Sequence, residues 1–231
     1  MNESLELERP VWPEGQEIRQ VDSSIAITDF GDMEEFHGGL VDYLVRCEQE
    51  KRAHTPKQTA AAGGTKIHHI DTWPVPGARL LDERAQALYR RVVGHATSAV
   101  DLSWSNVYRA GDYILPHAHY RSTGSVLYML SVGDRDETDM LSGRFAFADP
   151  RMPLCCRESP DRMSTPHFPD LKPGSMVLFP STVVHLVTPY VGQKTPRITM
   201  TWNVNTEPLA ERPASDATRE IPPRPDPPGP D

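Results

Sequence analysis

The stretch HAHYRSTGSVLYML, His117–Leu130, decides how this chain is read. It opens with two histidines separated by one alanine. It then passes a Ser-Thr-Gly turn and enters an apolar run with aromatic and β-branched residues. In an extended backbone, residues i and i+2 project to the same side, so His117 and His119 offer both imidazoles to one face. The run from Ser125 has the composition of a strand. The expectation is two strands joined by a turn, with a metal-competent pair on the first.

The sequence on either side repeats this β texture. WSNVYRA from Trp104, GRFAFAD from Gly143, SMVLFP from Ser175, VVHLVTPY from Val183 and RITMTWNV from Arg197 are short runs broken by Gly and Pro. Such a series predicts an antiparallel sandwich or barrel. Upstream the period changes. Phe36, Leu40, Tyr43, Leu44 and Cys47 fall at helical spacing between Asp32 and about His54, with Asp32 placed to cap the helix. A second helix is expected over Ala78–Val100, with Leu81, Ala85, Leu88, Val92 and Val93 on one face. Ser24–Phe30 and Thr65–Trp73 are expected strands. The predicted fold is mainly β with N-terminal helices: a double-stranded β-helix (jelly roll, cupin-like) with its core at about 100–206.

That core sits in a single domain over 21–206, a size that suits one buried interior. Residues 1–20 are polar, contain two prolines and are expected to form a flexible arm. Residues 55–64, TPKQTAAAGG, and the segment between Asp149 and Phe168 are expected loops at the rim of the barrel. Residues 207–231 end in EIPPRPDPPGP, which cannot build a packed core and is expected to be disordered.

Composition narrows the function classes. The net charge of −8 argues against general affinity for nucleic acid or anionic membranes. The N-terminus MNESLELERP has no apolar h-region, and no apolar run approaches the ~18 residues of a membrane span. Cys47, Cys155 and Cys156 are too few, and the last two too close, for a disulfide framework. These features together predict a cytoplasmic protein without a membrane or nucleic-acid partner; a homodimer remains compatible with them.

His185 lies in another β-run, far enough along the chain for it to leave the sheet and return beside the first pair. A close pair on one strand plus a distant histidine can form a three-ligand facial site with open positions. Imidazole suits Fe, Cu, Zn and Ni about equally, so the ligand type does not choose the metal. Asp149, in FADPR, is an alternative third ligand, although an Asx turn before Pro150 or a pair with Arg151 accounts for it more simply. Tyr108, Tyr113 and Tyr128 are candidate hydroxyl donors, set against a plain packing role for strand aromatics.

From about Asn106 to Asn205 the chain resembles the 2-oxoglutarate/iron(II) oxygenase superfamily, most nearly a branch of bacterial and phage oxygenases. Four segments carry the resemblance in order: HAHYRSTGSVLYML, FADPR at Phe147–Arg151, PGSMVLFPSTVVH at Pro173–His185, and RITMTWN at Arg197–Asn203. The resemblance implies Fe(II) and 2-oxoglutarate as cofactors. It implies an enzyme that consumes molecular oxygen, and hydroxylation of an amino acid, a peptide or a natural-product intermediate. Arg197 and Thr199 fall at the Arg-x-Ser/Thr position that binds the distal carboxylate of 2-oxoglutarate. A guanidinium fork plus a hydroxyl suits that role. Tyr108 and Tyr128, among the candidate hydroxyl donors, are the candidate cofactor contacts. One position departs from the family: most members have Asp or Glu where His119 stands.

Two other readings stay open at this point. A cupin-type dioxygenase with three histidines and no 2-oxoglutarate shares the fold, and Gly111 to His119 opens its first motif. Thr123 and Gly124 then stand where that motif wants Glu, and Pro189 where the second wants Asn. A non-catalytic jelly-roll binding protein is the reading of another class.

Overall fold

The computed structural model describes residues 9–20, 25–54, 63–134, 139–148 and 167–209. Among these, strands β1 (Arg19–Gln20) and β2 (Ala26–Asp29) precede helix α1 (Glu34–His54). Strand β3 (Thr65–His68) and helix α2 (Ala78–Val93) follow. The β-core then comprises β4 (Ala99–Tyr108), β5 (Ile114–His117), β6 (Gly124–Val132), β7 (Phe145–Phe147), β8 (Ser175–Pro180), β9 (His185–Val187) and β10 (Arg197–Asn205).

Two sheets face each other. The larger has the order β1-β2-β8-β6-β10-β4-β3; the smaller has the order β5-β9-β7. Every pairing is antiparallel. Neighbours in space are distant in sequence, as a jelly roll requires. The central strand β10 shows how the sequence sorts its residues. Ile198, Met200, Trp202 and Val204 face the core shared with the helices, together with Leu40, Leu44, Leu81 and Leu88. The alternate residues Arg197, Thr199, Thr201 and Asn203 face the space between the sheets. A second apolar cluster fills that space around Leu127, Met129, Phe145, Phe179 and Val187. One strand therefore seats the helices with its apolar set and builds the interior cavity with its polar set.

The helices differ from expectation at their ends. Helix α2 stops at Val93 because Gly94 takes a left-handed conformation, φ 74°, and donates its N–H to the Arg90 carbonyl. Ala99 and Val100, expected in that helix, begin β4 instead. Strand β3 ends at His68; Ile70–Thr72 is a 3-10 turn, entered through a left-handed His69 at φ 63°. Asp32 does not cap α1. It sits in the 3-10 turn Gly31–Met33, and its carboxylate accepts from Arg84 instead.

Residues 9–20 are not a free arm. Val11, Trp12 and Ile18 pack on the helical core, β1 extends the large sheet, and Arg84 donates to the Pro10 and Val11 carbonyls. The apolar residues among the prolines supply the adhesion that a reading by overall polarity misses. Of the expected rim loops, residues 55–62 and 149–166, including Asp149, Cys155 and Cys156, lie outside the described residues, as does the tail from 210.

Candidate active site

His117 closes β5 and His185 opens β9, where they are direct cross-strand partners. His119 follows two residues after His117. Its backbone N–H donates to the Ser181 carbonyl at the end of β8, which turns it back over the cavity. The ring centroids stand 4.3 Å apart for His117–His185, 5.0 Å for His119–His185 and 5.3 Å for His117–His119. One nitrogen from each of the three lies within 4.8 Å of the others, and no other such set of His, Cys, Asp and Glu occurs among the described residues. The three histidines singled out from the sequence are thus brought together.

Each ring has its outer nitrogen engaged. Nδ1 of His117 bonds the Leu115 carbonyl at 2.9 Å, and Nδ1 of His185 bonds the Val183 carbonyl at 2.9 Å. A carbonyl can only accept, so in both rings Nδ1 carries the proton and Nε2 keeps its lone pair. Nδ1 of His119 lies 2.7 Å from Asn203 Oδ1 and 2.8 Å from Ser125 Oγ. Ser125 is tied in turn to Ser181, and Ser181 to Ser122. Burial favours the neutral rings. It pushes His185 down to about 3 and His119 to about 4, with the neighbouring histidines adding to the effect, and it lowers His117 as well. Three neutral imidazoles with free, convergent lone pairs suit a divalent metal.

The cavity before the histidines has a volume of about 470 Å³. Its apolar wall includes Leu127, Phe145, Phe179 and Val187; Tyr108 and Thr199 line it as well. Arg197 stands two positions from Thr199 on the same strand face and is fully buried. Its guanidinium lies 4.6 Å from the Tyr108 ring centre. None of its three side-chain nitrogens has a hydrogen-bond partner among the described residues, and neither does the hydroxyl of the buried Thr199. Burial lowers the Arg197 pKa; the Tyr108 and Tyr190 hydroxyls oppose that shift, and no carboxylate among the described residues does. A buried cation without a counter-ion is costly unless an anion completes it. The fork of Arg197 and the hydroxyl of Thr199 have the donor set for one carboxylate.

Tyr128 is not at this site. It points to the opposite face of β6, within the helical core, and its hydroxyl lies 2.7 Å from His37 Nε2. Strand alternation decides this: Leu127 and Met129 take the cavity face and Tyr128 the other. Tyr108 is on the cavity face, where burial raises its pKa against the opposing charge of Arg197.

Residues 102–203 match the family described as "Putative 2OG-Fe(II) oxygenase". Over this span the chain is similar to the 2OG-Fe(II) oxygenases. The matched span runs from β4 to Asn203 and holds all three histidines, Arg197 and Thr199. Solved structures repeat the fold. EctD from S. alaskensis with bound Fe aligns with a TM-score of 0.58 at 15% identity, over 87% of this chain and 84% of that one. A prolyl hydroxylase from Trichoplax adhaerens, in complex with a hypoxia inducible factor peptide fragment, aligns at 0.56 and 12% identity, over 78% and 83%. AviO1 from Streptomyces viridochromogenes Tue57 aligns at 0.56 and 12%, over 84% and 95%. None of the curated proteins matches the chain in sequence. The description of the matched family implies Fe(II) and 2-oxoglutarate, and the histidine cluster and the orphaned Arg197 suit the two groups in turn.

Some residues of the site were not foreseen. Asn203 was visible as the end of the RITMTWN segment, and its parity with Arg197 and Thr199 already places it on the cavity face. Lys66 and Trp104 carried no such signal, because only the β3–β4 pairing brings them to the mouth.

Proposed function

We propose that His117, His119 and His185 hold the iron through Nε2, and that Arg197 and Thr199 bind the distal carboxylate of 2-oxoglutarate. The enzyme then hydroxylates a small molecule or a peptide side chain. The observation that carries this reading is the buried, unpartnered guanidinium of Arg197 beside the unpartnered Thr199 hydroxyl. A three-histidine cupin dioxygenase would share the ligands; the Arg197–Thr199 donor pair, at the Arg-x-Ser/Thr position, is what favours 2-oxoglutarate.

When bound, iron(II) and 2-oxoglutarate supply the oxidant: O2 and 2-oxoglutarate are consumed, a substrate C–H becomes C–OH, and succinate and CO2 leave. The chain's own residues do the rest. The Leu115 and Val183 carbonyls and Asn203 fix the three rings by accepting from Nδ1, which leaves each Nε2 free to hold the metal. Arg197 and Thr199 set the orientation of the diacid. Phe145, Phe179 and Leu127 keep water from the far side. Three neutral ligands leave the iron its full +2 charge, where an Asp or Glu at position 119 would have removed one unit.

The test is anaerobic reconstitution with Fe(II) and 2-oxoglutarate. A weak visible charge-transfer band is expected, together with slow succinate release in air without added substrate. Iron binding without any response to 2-oxoglutarate would move the cupin reading ahead.

A further inference from the structure

Strand β3 is the outer edge of the large sheet, and its register with β4 sets Lys66 opposite Asn106 and His68 opposite Trp104. Lys66 therefore shares the cavity face with Trp104. Its Nζ lies 5.3 Å from the Trp104 ring centre, and that ring lies 5.7 Å from the His119 ring at a T-shaped angle. One aromatic ring thus separates the ammonium from the histidine cluster.

Among the described residues, Lys66 Nζ has no acidic partner. The one carboxylate lining this mouth among the described residues, Asp101, faces Arg121 at 3.5 Å. The other side of the mouth carries Tyr120, 97% exposed. An aromatic wall with a single free cation at its rim matches an elongated apolar molecule ending in one negative charge.

The geometry points to Lys66 as a specificity-determining residue that receives a carboxylate of the primary substrate, whose apolar body lies along Trp104. This rests on the reading of the site given above, and it names the substrate class: small organic acids carrying one carboxylate besides the group to be oxidised. Lys66 is a positioning residue and takes no part in bond making.

The experiment uses the full chain loaded anaerobically with Fe(II) and 2-oxoglutarate. It is titrated with a panel of N-acetyl amino acids and with the matching neutral carboxamides, following tryptophan fluorescence. At least one acid is expected to bind about tenfold more tightly than its amide, the scale of a charge-assisted hydrogen bond. Lys66→Met should abolish the preference while the amide still binds. Lys66→Arg should retain it, and Lys66→Glu should reverse it. A wild-type chain in which no acid outbinds its amide overturns the proposal, as does a preference that survives Lys66→Met. The visible band, recorded in the same samples, keeps the two readings apart. Its absence counts against the iron and 2-oxoglutarate assignment, whereas its presence without acid preference counts against Lys66 alone.

Discussion

His119 Nδ1 lies 2.7 Å from Asn203 Oδ1, so the residue that ends the H-x-H motif is oriented by the far end of β10. This contact joins the turn after β5 to a strand that the chain visits much later, and it fixes which nitrogen of His119 is left for the metal. Asn203→Leu removes the acceptor and leaves only Ser125 Oγ beside Nδ1. The expected result is a loss of roughly 10- to 100-fold in Fe(II) affinity, the usual effect of losing such an outer partner. Asn203→Asp keeps an acceptor and should retain most of the affinity. Metal titration of both variants checks the pair; equal weakening would show that the oxygen at position 203 does not orient the ring.

Arg197 carries a prediction of two opposite signs. Its guanidinium is buried and unpartnered, so in the absence of 2-oxoglutarate it strains the fold. Arg197→Met removes the charge and keeps much of the volume. Without 2-oxoglutarate the variant should be as stable as the parent or more so, by up to about 4 kcal/mol. The same variant should lose about 2–5 kcal/mol of 2-oxoglutarate affinity. Thermal melts with and without 2-oxoglutarate measure both. A variant that is much less stable without 2-oxoglutarate yet still stabilised by it would remove Arg197 from the anchor role.

The iron site should also be visible in stability. A ligand at 100 times its dissociation constant stabilises the folded state by about 2.7 kcal/mol. Fe(II) added anaerobically should therefore raise the melting temperature of the parent chain. His185→Ala should abolish that rise, because His185 is the most enclosed of the three rings and has no substitute nearby among the described residues. An unchanged rise in the variant would put the metal elsewhere.

Much of this was legible in the sequence, for a reason that β10 makes plain. A strand with period-two alternation announces both of its faces, so Arg197 and Thr199 could be assigned to one side before any coordinates. The H-x-H pair follows the same rule. Two things were not legible. Tyr108 and Tyr128 look alike as strand aromatics, and only the phase of each strand against the cavity separates them. Helix ends were also misplaced, because Ala99 and Val100 suit a helix locally but are claimed by pairing with Val204 and Asn205.

The two tyrosines give a direct test of that phase. Tyr108→Phe removes a hydroxyl beside Arg197 and Thr199 and should raise the 2-oxoglutarate requirement several-fold. Tyr128→Phe breaks the bond to His37 on the helical side and should cost about 1 kcal/mol of stability, with little change at the cavity. Denaturant titration and 2-oxoglutarate dependence, measured on both variants, separate the faces; the opposite assignment of effects would reverse the placement of the two strands' registers.

The last prediction concerns what holds the N-terminal segment to the body. Arg84 is fully buried on α2 and forks onto Asp32 at 2.6 and 2.8 Å. It also donates to the Val11 and Pro10 carbonyls and lies 4.5 Å from the Phe30 ring centre. Burial alone would raise the Asp32 carboxyl, but the Arg84 bonds and charge outweigh it and hold the pKa below the ordinary 3.8. A carboxyl with a lowered folded-state pKa contributes its full stability above its unfolded value. That contribution fades as the pH falls below about 3.8 towards the folded-state value. Arg84→Met should cost about 3 kcal/mol at neutral pH, because it leaves Asp32 and two carbonyls without their partner. It should also flatten the loss of stability on acidification. Urea unfolding from pH 7 down to pH 3 checks both. A variant whose stability falls as steeply with acid as the parent would show that the acid sensitivity arises at other carboxylates.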